Sequence, residues 1–228
     1  MRRRQLQYHG PQYPSVSRRS DRNASRVVRS ILRAPFTAET WRRTAYGSLC
    51  LPVAIVGFVL TIPLFLVGTP LIIVVGLGFV LSSFALWLSR GFARLERARV
   101  AGMLGLAIPP LDEPVVTGHL ARRWWTRCRT PRTWLTLAFV LTNVPLSLLV
   151  FFLCCYPWVQ TVYSLSYPIL QWNTTFSEHA WGGPSWLGAV AVHTLPGIPM
   201  LFAAPWLVTV ATTAHARWAR FLLGGSSR

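Results

Sequence analysis

The chain of 228 residues is 52% hydrophobic and only 13% charged, which sets aside an ordinary soluble globular domain and places it among integral membrane proteins. Its formal net charge of +17 comes from 23 basic residues against 6 acidic ones, and every basic residue is Arg. The Arg residues are confined to Arg2–Arg43, Arg90–Arg132 and Arg217–Arg228, the positive-inside pattern of segments kept in the cytoplasm and attracted to anionic lipid headgroups. No motif or aromatic-basic platform accompanies the charge, so a nucleic-acid partner is not expected.

Residues 1–19, with Arg2 to Arg4, Pro11 and Pro14, lack apolar periodicity and read as a disordered basic tail. From Ser20, the apolar residues Val27, Val28, Ile31 and Leu32 recur at helical spacing opposite Arg22, Arg26, Arg29 and Arg33, which predicts an amphipathic helix lying on the membrane surface. Pro35 ends it, and Thr37 can cap a new helix with Glu39 at its positive end. No charge occurs from Thr44 to Ser89, and a hydrocarbon core takes about 20 helical residues to cross, so two spans are expected, at 47–67 and 69–89, joined by a tight turn at Gly68, Thr69 and Pro70.

The loop 90–134 is then cytoplasmic. Within it Ala93–Gly105 reads as a charged helix, a candidate output element carrying Arg94, Glu96, Arg97 and Arg99, with Glu96 placed to pair with Arg99. His119–Arg129, with Trp124 and Trp125 among Arg residues, reads as a second interfacial helix whose side chains snorkel to headgroups. A third span is expected at 135–155 and a fourth at 187–213, the latter kinked by Pro196, Pro199 and Pro205. The segment 156–186 between them is the sizeable outside segment.

The two halves match each other. Trp41, Tyr46 and Pro52 recur as Trp134, Phe139 and Pro145 at identical spacing, and Arg94–Gly105 corresponds to Thr213–Gly224. The expected fold is therefore an all-α integral membrane protein of four transmembrane helices, arranged as a parallel two-plus-two internal repeat with amphipathic juxtamembrane helices.

The Trp-led first span, the run Ala93-Arg-Leu-Glu-Arg-Ala-Arg-Val-Ala-Gly-Met-Leu-Gly105, the second Trp-led span and the Ala-His-Ala-Arg-Trp-Ala-Arg-Phe-Leu-Leu-Gly ending at Gly224 together resemble the sensor domain at the N-terminus of membrane histidine kinases in high-GC Gram-positive bacteria. The resemblance covers residues 30–224 and implies a four-span module of a bacterial plasma membrane that detects a cue at or in the membrane and passes it to a kinase. No kinase follows within the 228 residues, so the output is expected to pass through a separate partner such as a two-component kinase. Glu96–Ala101 looks like the opening of a phosphoacceptor helix, but Gly105 stands where the His would be, so phosphotransfer there is not expected.

No HExxH, Cys/His cluster or nucleophile elbow is present, and neither an enzyme, a metal nor a cofactor is implied. Cys154 and Cys155 read as small apolar packing residues. The candidate cue-sensing residues are Trp172, Glu178, His179 and Trp181, the acid and imidazole forming an ionisable pair among stacking aromatics. Asn143 and His193 are candidate polar groups at membrane depth. The alternatives are a small transporter or permease subunit and a structural lipid-binding protein; a homodimer is possible, although no heptad seam supplies one.

Overall fold

The computed structural model describes residues 30–109, 118–172, 174 and 181–224. Among these every regular element is a helix: a 3-10 turn at Ala34–Phe36, α1 (Ala38–Val75), α2 (Gly78–Leu104), α3 (Leu120–Arg129), α4 (Pro131–Leu170), α5 (Trp186–Thr194) and α6 (Gly197–Leu223). Most of the amphipathic helix expected from Ser20, and the tail before it, lie outside the described residues.

Local chemistry explains the boundaries. Thr37 caps α1 by accepting from the Thr40 amide at 3.3 Å, and Glu39 in the first turn pairs with Arg43 at 2.9 Å. α1 runs through Pro52, Pro63 and Pro70 and stops where Gly76 turns left-handed at φ 68°. The turn therefore falls at Gly76 and Leu77 and not at Gly68–Pro70: Pro70 ends no helix here, and the Thr69 hydroxyl donates to the Phe65 carbonyl at 2.7 Å in the same turn. α2 closes on Gly105, left-handed at φ 70°, whose amide returns to the Ala101 carbonyl. Pro196 divides the expected fourth span into α5 and α6, while α4 continues past Cys155 to Leu170, well into 156–186, the segment read as lying outside.

Three helical stretches are long and apolar enough to cross a membrane, Ala38–Ile73, Pro131–Leu170 and Trp186–Leu223. α2 is not among them. Residues 69–75 of the expected second span complete α1 instead, which leaves α2 only Gly78–Ser89 before Arg90, fewer than the ~20 apolar residues a span takes.

α1 packs along α2, α4 and α6, and α4 along α6. Gly68 on α1 and Gly197 on α6 let backbones approach closely, since a Cβ on Gly68 would lie 2.7 Å from the Ser82 amide nitrogen and one on Gly197 2.6 Å from the Ser164 Cβ.

The relation of the two halves corrects the parallel arrangement. Trp41, at the start of α1, stacks on Trp158, far along α4, with centroids 4.9 Å apart; Gly47 abuts Cys154; and Phe65 meets Trp134, at the start of α4, at 6.0 Å. α1 and α4 are thus antiparallel, and the α1–α2 turn and the C-terminal end of α4 lie at opposite ends of the bundle. Matched spacing after each Trp sets equivalent positions but carries no information about how one half is laid against the other. The Arg distribution, which suggested the shared direction, constrains which segments meet headgroups and not the packing between halves.

Candidate functional site

A polar cluster sits where α1, α2, α4 and α6 meet, inside an otherwise apolar core that includes Cys50, Val100, Phe139, Val150 and Val208. Tyr46 on α1, Glu96 on α2 and His215 on α6 are each no more than 1% exposed, and Asn143 and Ser147 on α4 are buried beside them. Their helical positions explain the convergence. On α2, the buried Ala93, Glu96, Val100 and Leu104 recur at steps of three and four along one face. The corresponding face of α6 carries Thr212, His215, Ala219 and Leu223, all fully buried.

The cluster is a continuous chain of hydrogen bonds. The Tyr46 hydroxyl lies 2.6 Å from Glu96 Oε1 and 2.8 Å from His215 Nδ1. His215 Nε2 is 3.0 Å from Asn143 Oδ1, which also accepts from the Ser147 hydroxyl at 3.3 Å. Arg99 donates to Glu96 Oε2 at 2.6 Å and to the Tyr46 carbonyl at 3.1 Å, and its guanidinium covers the Tyr46 ring at 4.9 Å. A buried carboxylate is strongly unfavourable unless paired and hydrogen-bonded, and here both oxygens of Glu96 have a donor. Next to the chain, a cavity of about 10 Å³ touches Gly57, Phe92, Glu96 and Asn143, enough for one water at most.

Cys50 Sγ, a Glu96 oxygen and a His215 ring nitrogen lie within 4.8 Å of one another, a donor set of the kind that binds zinc-like ions. The positions are already occupied by other partners. Arg99 supplies a cation to Glu96 and reaches Cys50 Sγ at 3.7 Å, and the Tyr46 hydroxyl stands between the carboxylate and the imidazole.

Of the residues singled out in the sequence, Glu96, Arg99 and Asn143 meet at this cluster, and the Glu96–Arg99 pair forms as spaced. Arg94 is exposed and Arg97 half-buried on the same helix. His193 is elsewhere: its Nδ1 lies 2.8 Å from the Ala189 carbonyl of its own helix, and its ring stacks on Tyr167 at 4.3 Å. Trp172 and Trp181 are exposed, Trp172 standing edge-on to Trp186, whereas Glu178 and His179 lie outside the described residues. The four cysteines are free, and burial pushes the Cys128 thiol on α3 up.

Tyr46 and His215 were not singled out as site residues, although the repeat held the signal. Glu96 is nine residues before Gly105 (105 − 96 = 9) and His215 nine before Gly224 (224 − 215 = 9), so the alignment of those glycines puts Glu96 on His215.

The fold and site define a helical membrane module with a buried, hydrogen-bonded polar centre. Residues 48–223 match the family described as "Putative sensor", and the chain belongs to that family. No curated protein matches the chain. No solved structure matches it.

Proposed function

We propose that this chain is the sensing module of a bacterial signalling system, set in the plasma membrane, which detects a membrane or extracytoplasmic cue and acts through a separate partner such as a two-component kinase. The observation that carries it is the buried polar centre, to which all four packed helices contribute, in a chain of a sensor family. Buried ionisable groups are unfavourable unless paired, and groups of this kind gather at functional sites. A change at this centre reaches every long helix at once. Charge alone favours a cytoplasmic location for both ends of the chain. Trp172, Glu178, His179 and Trp181 are the candidate contact surface for an outside cue.

The matched halves are best read as a duplication. α2 and α6 are both 27 residues long, start at Gly78 and Gly197, and are followed by Gly105 and Gly224. A shift of 93 carries Trp41 to Trp134 and Phe65 to Trp158, so it carries the Trp41–Trp158 contact onto the Phe65–Trp134 contact. Contacts that map onto each other in this way are those of an approximate twofold axis between antiparallel halves, passing near Glu96 and His215.

Crosslinking and affinity purification of the tagged chain from its native membrane, followed by mass spectrometry, tests the reading. Recovery of a histidine kinase or response regulator supports it, and recovery of lipid alone sinks it in favour of a structural lipid-binding role. The second reading, a small transporter, is favoured by antiparallel halves with ionisable groups at their interface. Its test is substrate flux in proteoliposomes, whose absence removes it.

A further inference from the structure

The hydrogen-bond geometry carries a statement about protons that deepens the sensing role and rests on it. The Tyr46 hydroxyl has one hydrogen, yet its oxygen is within bonding distance of both Glu96 Oε1, at 2.6 Å, and His215 Nδ1, at 2.8 Å. His215 Nε2 faces Asn143 Oδ1, an acceptor, and so carries a hydrogen. Both short contacts of Tyr46 are then hydrogen bonds, with the tyrosine hydrogen itself in one of them, in only two ways. In the first, the Glu96 carboxyl is protonated and donates to Tyr46, which donates to a neutral His215. In the second, His215 is an imidazolium whose Nδ1–H donates to Tyr46, which donates to the Glu96 carboxylate. The two states contain the same atoms. They interconvert when the Glu96 proton moves to the tyrosine oxygen while the tyrosine proton moves to Nδ1, breaking one O–H bond at each oxygen donor and forming one O–H and one N–H bond.

We propose that Glu96 and His215 hold one proton in common through the Tyr46 hydroxyl, and that its gain or loss is the event to which the centre responds. When that proton leaves, one tyrosine hydrogen faces two acceptors and a short contact is lost. The chain is made whole again only if the Asn143 amide turns to offer its NH₂ to Nε2, with the remaining imidazole hydrogen on Nδ1. That turn also removes the acceptor of the Ser147 hydroxyl, so proton occupancy is tied to the contact between α4 and α6. The groups facing the shared proton are Tyr46 and Cys50 from α1, Glu96 and Arg99 from α2, the neutral Asn143 and Ser147 from α4, and His215 itself from α6.

Nitrogen-15 NMR of the histidine side chains, in the full chain reconstituted in lipid nanodiscs, reads both ring nitrogens directly, with the His215 signals identified by their absence in His215→Gln. At low pH the expected result is hydrogen on Nε2 and partial hydrogen on Nδ1, with a change in the pattern of both as the pH is raised across the range in which the chain stays folded. In Glu96→Gln the amide donates to Tyr46 and holds Nδ1 as a fixed acceptor, so the pH response of Nδ1 is lost. Tyr46→Phe removes the relay and gives the same loss. An unchanging His215 signal in the wild-type chain over that range overturns the proposal even if neither variant folds, as does an undiminished response in a folded Glu96→Gln. The measurement needs no partner protein. A negative result here leaves the sensor reading standing, and failure to capture a signalling partner leaves the proton result standing.

Discussion

Tyr46→Phe isolates one oxygen atom at the centre of the bundle. The ring keeps its place in the core, and only the hydroxyl that meets Glu96 Oε1 and His215 Nδ1 is removed. A buried polar group left without its partner costs about 1–3 kcal/mol, and two groups are affected. Neither is stripped completely, because Glu96 keeps Arg99 on Oε2 and His215 keeps Asn143 on Nε2. A loss of about 2–4 kcal/mol follows, which at about 2–4 °C per kcal/mol for a chain of this size lowers the midpoint of thermal unfolding by about 5–15 °C. The buried thiols of Cys50 and Cys154 provide the assay, since a fluorogenic thiol reagent reaches them when the helices separate. Tyr156→Phe is the control, because Tyr156 is 45% exposed and stacks on Phe152. If the two variants unfold within about 2 °C of each other, the hydroxyl is not an integral part of the packed core and the reasoning fails.

Arg99→Ala leaves the Glu96 carboxylate buried with one partner fewer and is expected to destabilise the chain by about 3–5 kcal/mol, whereas Arg42→Ala, at an exposed position near the start of α1, stays within about 0.5 kcal/mol; equal losses would refute the assignment. Gly47→Leu drives a side chain into α4, where even a Cβ would lie 2.7 Å from the Cys154 Cβ, so the α1–α4 contact opens and Cys154 alkylates in the folded state; continued protection of Cys154 would show that the helices do not meet there. Cys128 alkylates more slowly than free cysteine at neutral pH, because burial raises its pKa and the thiolate is the nucleophile, and the rate climbs as pH is raised; a rate at pH 7 equal to that of free cysteine contradicts this.

Much of the helical framework was legible because its signals are local. The Thr37 cap, the end of α2 at Gly105 and the start of α3 after His119 each depend on a few neighbouring residues and fall where the sequence places them. Pro70 misled the reading of the first turn, because a proline in a long apolar helix is tolerated when nearby side chains and packing compensate its missing donor, and Gly76 was the true stop. The direction of α4 was not legible at all. It is decided by contacts such as Trp41 on Trp158 and Gly47 on Cys154, between residues more than a hundred positions apart, which no periodicity encodes. The site was half legible for the same reason. Glu96 and Arg99 are three apart on one helix and declare themselves, whereas Tyr46 and His215 are 169 apart and meet only through the packing of α1 on α6.

The duplication proposed for the halves explains why the centre pairs these two residue types. Positions next to a twofold axis meet their own counterparts, so two copies that kept the same residue would set Glu against Glu or His against His, like groups that repel when both are charged. Divergence to Glu96 and His215 puts an acid against a base, 3.7 Å apart, while Tyr46 and its counterpart Phe139 diverge by the one hydroxyl that bridges them. At the proposed axis the divergence makes a hydrogen-bonded pair. Away from it the equivalent positions keep their burial, as at Ala85 and Ala204 or Val100 and Ala219, each fully enclosed. A symmetric apolar frame around an asymmetric polar pair has a testable consequence: exchanging the two, as Glu96→His with His215→Glu, restores more of the stability lost in either single variant than their separate losses predict. Strict additivity of the two losses, measured by the same thiol-protection melt, would show that the acid and the base do not act as a pair.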